Sequence, residues 1–183
     1  MIWFTADTHF SHGNIIKYCR RPFVNANEMN EVLIENWNSV VAPDDIVWHL
    51  GDWSFAPRQH ARQYNKHLRN QLNGSIHLVL GNHDHGDSRY YEDIGMTSVH
   101  YPYVEVEGLL CVHDPSHFRN WPIDVPFLCG HVHENWSTRD IAINVGVDVR
   151  GFKPISIDEI REIVNDLRPP QQVPRADRRP DPV

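Results

Sequence analysis

Five short apolar runs in this chain each lead to Asp, Asn or His. Residues 2–4 lead to Asp7 and His9, and residues 46–48 to Gly51-Asp52. Residues 76–80 lead to Gly81-Asn82-His83-Asp84, residues 109–112 to His113, and residues 127–129 to Gly130-His131-Val132-His133. Apolar runs of this length bounded by turn formers read as buried strands. In open α/β folds, ligands gather beyond the carboxyl ends of strands. The pattern therefore asks for a fold that brings five strand ends, distant in sequence, to one place.

The intervening segments fit that demand. Residues 27–40 carry Met29, Val32, Leu33, Trp37 and Val40 at helical spacing. Pro43-Asp44-Asp45 makes a turn before the second run. Pro57 is placed to open a helix towards Leu72, with Asn73-Gly74 ending it. In the second half, residues 104–107 alternate, Gly108 turns, and residues 109–112 return as a hairpin partner. Further short strands fall near 126–130, 141–145 and 155–157. A last helix starts with Asp158 as N-cap and turns Ile160, Ile163, Val164 and Leu167 inward. The expected fold class is α/β, with two packed mixed β-sheets flanked by helices over residues 1–168. Residues 169–183 are rich in Pro and Arg and have little to bury, so no fixed structure is expected there. Arg175, Arg178 and Arg179 give that tail a weak claim to a polyanion contact.

The chain has 183 residues and a net charge of -7, which argues against strong binding to nucleic-acid backbones. No run is long enough to span a bilayer, and no basic segment precedes the first apolar run. The expected location is the cytoplasm, without membrane association. Cys19, Cys111 and Cys129 show no C-x-x-C spacing, so a thiolate zinc site is not expected.

Asp, Asn and His together form a mixed oxygen and nitrogen donor set. Such sets suit Mn, Fe, Zn, Co or Ni better than Ca. Asp7, His9, Asp52, Asn82, His113, His131 and His133 are more donors than one tetrahedral ion needs, and two cations sharing a carboxylate would use them all. Single pairs are weak signals, since Asp7-Thr8-His9 is also an ordinary surface turn. The ordered set is strong.

In order, these blocks read D-x-H, G-D, G-N-H-D, H and G-H-x-H. The chain resembles the calcineurin-like metallophosphoesterases, and the resemblance spans residues 7 to 133. It implies a four-layer αββα sandwich and a pair of divalent ions, manganese favoured. Asp7, His9 and His133 would hold one ion, Asn82, His113 and His131 the other, and Asp52 would bridge them. His83 would face the scissile phosphate as the acid, with a metal-bridging hydroxide as nucleophile. Asp84 would orient or polarise His83; a loop hydrogen bond or helix cap is its equal alternative.

Small phosphodiesters are the favoured substrates, with 2′,3′- or 3′,5′-cyclic nucleotides leading. The second block continues as Trp53-Ser54-Phe55-Ala56 and not as the V-D-R-G of the family's protein phosphatases. Phosphomonoesters and nucleotide pyrophosphates are the alternatives, and a non-catalytic binding scaffold is the alternative of another class. His12, His85 and His117 lie near the blocks and are candidates for substrate contact. Trp53 either walls the site or packs in the core. Lys17, Arg20 and Arg21 are read as a solvated helix end in preference to a phosphate clamp. His49 and His77 are read as packed or hydrogen-bonded, and His60, His67 and His100 as surface residues.

Overall fold

The computed structural model describes residues 1–56, 58–118 and 125–167. Two five-stranded mixed sheets form an α/β sandwich flanked by helices. The first sheet contains β1 (Ile2–Thr5), β2 (Ile46–His49), β3 (Ser75–Val79), β4 (Ser98–His100) and β10 (Ile155–Ser156). Its order is β10-β1-β2-β3-β4, parallel except for β10. The second contains β5 (Tyr103–Val106), β6 (Leu109–Val112), β7 (Phe127–Cys129), β8 (Thr138–Arg139) and β9 (Ala142–Asn144). Its order is β5-β6-β7-β9-β8, with β6, β7 and β9 parallel.

The two-residue period of the strands sorts their side chains into layers. Ile76 and Leu78 of β3 face α1 (Gly13–Tyr18), α2 (Ala26–Val40), α3 (Ala61–Arg69) and α4 (Ser88–Asp93), packing with Ile15, Met29, Leu33, Trp37, Leu68 and Tyr91. Val79 and Phe4 face the other way, onto Cys111, Leu128 and Ile143 of the second sheet. α5 (Ile157–Leu167) adds Ile160 and Val164 to that inter-sheet core. The outer face of the second sheet packs Val112, Phe127, Cys129 and Ala142 under Phe118. Among the described residues that face carries the 3-10 turn Pro115–Phe118 and no α-helix.

The helix over 27–40 forms as expected, capped by Asn25, whose side chain accepts from the N–H groups of Asn27 and Glu28. Two boundaries differ from expectation. The last helix is capped by Ser156 and not Asp158. The Glu159 N–H donates to Ser156 Oγ at 3.2 Å and the Glu159 carboxylate accepts from the Ser156 N–H at 2.9 Å, a reciprocal pair that outcompetes a single Asp cap. The third helix ends at Arg69, before Asn73-Gly74. The Arg69 guanidinium donates to the carbonyls of Leu72, Gly74 and Gly95, which holds the turn beyond the helix end. Pro57, Arg168 and the tail at 169–183 lie outside the described residues.

Among the described residues, no helix is long and apolar enough to cross a membrane.

Candidate metal centre

The two sheets meet where strands β1, β2, β6, β7 and β9 end. The Asp7 N–H donates to the Gly51 carbonyl and the His9 N–H to the Asp52 carbonyl, which ties the first and second blocks together. The Gly130 N–H donates to the His113 carbonyl beyond β6 and β7 of the second sheet, and the Val147 N–H donates to the Ala6 carbonyl, joining the two sheets at their carboxyl ends. These bonds bring residues more than a hundred positions apart into one cage.

Within it, the potential ligand atoms of Asp7, His9 and His133 lie within 4.8 Å of one another, as do those of Asp52, His113 and His131. Asn82 joins the second group. Its Oδ1 lies 3.0 Å from His113 Nε2 and 2.9 Å from His131 Nδ1. Asp52 stands between the groups, with Oδ2 3.3 Å from His9 Nε2 and 3.4 Å from His113 Nε2. All seven residues named from sequence are therefore brought together.

The lone pairs test whether a cation fits here. His113 Nδ1 lies 2.7 Å from the Leu50 carbonyl, which can only accept, so Nδ1 carries a proton. The neutral ring then aims the Nε2 lone pair at two oxygens, Asn82 Oδ1 and Asp52 Oδ2. Three acceptors converge with no donor between them unless a proton or a cation intervenes. The side chains themselves register this. Burial pulls His113 down, yet the Asp52 hydrogen bond and the nearby Asp7 charge push its pKa up to about 9. Among the described residues His9 Nε2 is buried and makes no well-directed hydrogen bond, even to Asp52 Oδ2 at 3.3 Å, and a metal ion would satisfy it. The donor set and its geometry fit two divalent cations.

The backbone is held in an unusual shape to achieve this. Asp7, His9, Asp52, His131 and His133 all have positive φ, between 47° and 71°. Asp and His tolerate this region better than most residues, but it still costs about 1–3 kcal/mol each. Close approach is a second requirement. A Cβ on Gly81 would strike Asp52 Oδ1, and one on Gly130 would lie 2.8 Å from Asp7 Oδ2. The glycines of G-N-H-D and G-H-x-H are there so that carboxylates can sit against backbone.

Behind the donors lies a layer that sequence reasoning missed. Arg21 is buried and not at a solvated helix end. Its guanidinium grips Asp148 through Nε at 2.8 Å and Nη2 at 2.9 Å, and donates to the carbonyls of Asp7 and Thr8. Asp148 in turn accepts from His133 Nδ1 at 3.0 Å, which leaves His133 Nε2 for the cage. Burial opposes it, but this carboxylate holds the His133 pKa up at about 10. The signal for Asp148 was present: it follows the apolar run 141–145 as Gly146-Val147-Asp148, the same grammar as the five blocks. Arg21 had no local signal, because its partner is 127 residues away.

His83 lies beside the cage. Its backbone N–H donates to Asp52 Oδ1 at 2.9 Å, and its ring centroid is 5.5 Å from that of His9. The expected contact between Asp84 and the His83 ring is not formed. The Asp84 carboxylate instead accepts from the N–H groups of Asp52, Trp53 and Gly81 and from the Tyr91 hydroxyl. This is the loop-holding alternative, and the reason is proximity to three backbone donors that face it. Trp53 is fully buried against Phe10 and His49, so it packs in the core and does not wall the site. His49 is buried and bonds Thr8 Oγ1, and His77 bonds Ser98. His100 is half-buried and also bonds Ser98. His12 stacks on Phe55 with centroids 4.4 Å apart, close to His9. Burial and the neighbouring His9 and His83 lower its pKa to about 4.

Fold and site thus define an α/β two-sheet sandwich with a paired N/O donor cage at its strand ends. No protein-family model matches the chain. It is 35% identical over 172 residues to the "Uncharacterized protein MJ1445" of Methanocaldococcus jannaschii, covering 89% of this chain and 90% of that protein. The chain belongs to the same family as that archaeal protein. It is also 25% and 27% identical to the gene 66 proteins of Mycobacterium phages L5 and D29, over 90% and 91% of its length. Among solved structures it is similar to the protein of unknown function AQ665 from Aquifex aeolicus. That likeness has a TM-score of 0.65 and 26% identity, and covers 90% of this chain and 99% of the other.

Proposed function

We propose that the chain is a binuclear metal-dependent phosphoesterase of the calcineurin-like kind, acting on small phosphodiesters such as cyclic nucleotides. The observation that carries this reading is the Asp52 carboxylate, placed between two donor groups with an orphaned His9 nitrogen beside it. Asp7, His9 and His133 would hold one cation, and Asn82, His113 and His131 the other, with Asp52 shared. Manganese is favoured, and Fe, Zn, Co or Ni are compatible with the donors. Bound there, two divalent ions would supply positive charge to hold phosphoryl oxygens and to acidify water.

The chain's own residues supply the rest. Asp52 fixes the backbone of His83 through the 2.9 Å bond to its N–H, so the imidazole is set by the carboxylate at the centre of the cage. Among the described residues no hydrogen bond occupies the His83 ring, which leaves it free to hand a proton to a departing alkoxide. Asp148 and Arg21 keep His133 in the tautomer that presents Nε2. The unpaired cysteines, two of them buried, fit a reducing compartment, and the proposal includes the cytoplasm as the site of action.

The test is a substrate panel with Mn²⁺: cyclic nucleotides, monoesters, pyrophosphates and oligonucleotides. Diester turnover that is lost in Asp52→Asn supports the reading, whereas turnover of monoesters alone refutes the diester preference. His83→Ala should retain bound metal and lose far more activity on an alkoxide leaving group than on 4-nitrophenolate. Equal losses on both would remove His83 as the proton donor. Stoichiometric binding of two metals with no hydrolysis of any ester would favour a binding scaffold.

A further inference from the structure

A cleft of about 410 Å³ opens beside His83, and none of the seven cage donors lines it. Ser54, Phe55, Ala56 and Ala61 line it with Asn65, His83, His85, Tyr90 and Tyr91. Its size is that of small-molecule pockets, about 300–1,000 Å³. His83 stands between cleft and cage: its ring lies 5.5 Å from His9 and 6.2 Å from Phe55. A substituent reaching past His83 from a phosphate at the cage would enter this cleft.

The walls specify what that substituent is. Phe55 is 49% exposed, unusual for a large aromatic, and His12 stacks against its ring. A planar group entering the cleft would extend that stack. The polar atoms are pre-set. Ser54 Oγ donates to Asn65 Oδ1 at 2.7 Å, and Asn65 Nδ2 donates to Tyr90 OH at 2.9 Å. Asn65 is buried, so this chain is rigid. It leaves the Tyr90 hydroxyl proton and the Ser54 lone pairs available, one donor and one acceptor. Among the described residues no Lys or Arg lines the cleft. The nearest described guanidinium, Arg62, stacks over the Tyr90 ring at 5.4 Å and belongs to the neighbouring basin, so the described walls favour an uncharged ring over a second phosphate. A wider basin lined by His60, Arg62, Lys66 and Asp93 adjoins it across Ala61 and Tyr90 but reaches none of the cage residues.

We propose that this cleft is a nucleoside subsite: it seats a neutral, planar, hydrogen-bonding ring carried on the ester oxygen next to His83. This inference rests on the phosphoesterase reading. In the reaction a water oxygen bonds to phosphorus and the bond from phosphorus to the sugar oxygen breaks. His83 gives its proton to that oxygen, and the water's proton passes to solvent. The products are a phosphomonoester and a free hydroxyl, with no change in oxidation state.

The experiment compares adenosine 2′,3′-cyclic phosphate with ethylene phosphate, which has the same five-membered cyclic diester and no nucleoside. In wild type the ratio of their kcat/KM values should be large. Phe55→Ala removes the stacking face, and Ala61→Trp fills the cleft while keeping its polar chain. Each should cut that ratio by about tenfold, the scale of losing one aromatic–base stack. Equal kcat/KM for the two esters in wild type, or a ratio that survives both variants, overturns the subsite. If neither ester is hydrolysed with Mn²⁺, the phosphoesterase reading is what fails. The cleft is then judged by calorimetric titration with adenosine. Binding that Ala61→Trp weakens upholds the subsite, and its absence in wild type overturns it.

Discussion

Asp84→Asn should destabilise the fold, and the cost can be worked from four contacts. Oδ2 accepts from the Asp52 N–H at 2.7 Å and the Gly81 N–H at 2.9 Å. Oδ1 accepts from the Trp53 N–H at 3.0 Å and the Tyr91 hydroxyl at 3.3 Å. Asparagine keeps only one oxygen. Its better orientation puts that oxygen at the Oδ2 position, serving two amides. The amide –NH2 then faces Tyr91, whose hydroxyl can turn to accept, and the Trp53 N–H, which cannot. Trp53 is fully buried, so water cannot reach that orphan. An unsatisfied buried donor costs about 1–3 kcal/mol. For a chain of this size each kcal/mol lowers Tm by about 2–4 °C, so a fall of about 2–12 °C is expected. Scanning calorimetry at pH 7 with a chelator present reads this without any contribution from metal. If Asp84 instead acts through His83, the variant would unfold at the wild-type temperature and shift only the pH profile of turnover. That pairing of results would refute the loop-holding argument.

Two other outcomes follow from the structure. Asp148→Asn should weaken metal binding by about 10–100-fold, because the His133 ring loses the partner that fixes its tautomer. Calorimetric titration with Mn²⁺ checks this, and unchanged affinity would show that packing alone orients the ring. Asp45 should give the fold an acid-sensitive element. The N-terminal amine, the Ala42 N–H and Trp3 Nε1 bond its carboxylate and lower its pKa from 3.8 to about 2. A depressed carboxylate contributes stability that is complete above pH 3.8 and lost as pH falls towards 2. Asp45→Asn should therefore show a shallower loss of stability across that window in acid-unfolding curves; parallel curves would refute the linkage.

The donor cage was legible in the sequence because each block pairs a short apolar run with a chemically conspicuous cluster. Strands announce themselves by β-branched and aromatic content, and His or Asp at their ends stand out against it. What escaped was of two kinds. Asp148 obeyed the same rule but offered one carboxylate with no histidine beside it. Arg21 is locally indistinguishable from Arg20, and its burial depends on contacts that only the closed fold creates. The short helices α1 and α4 span six residues each, too few for a 3.6-residue period to repeat. The Ser156-Ile157-Asp158-Glu159 cap was visible as S-x-x-E, but Asp158 drew attention because a lone Asp is itself a good cap.

The left-handed backbone at five of the donors sets heat resistance against the proposed metal cage. Glycine at His131 would relax its φ of 71° while deleting a metal ligand. A lineage, or a laboratory screen, selecting this protein for thermal endurance alone would be drawn towards dismantling the cage first. All five side chains stand in such conformations, so the fold carries its backbone strain at the residues proposed to hold the metals.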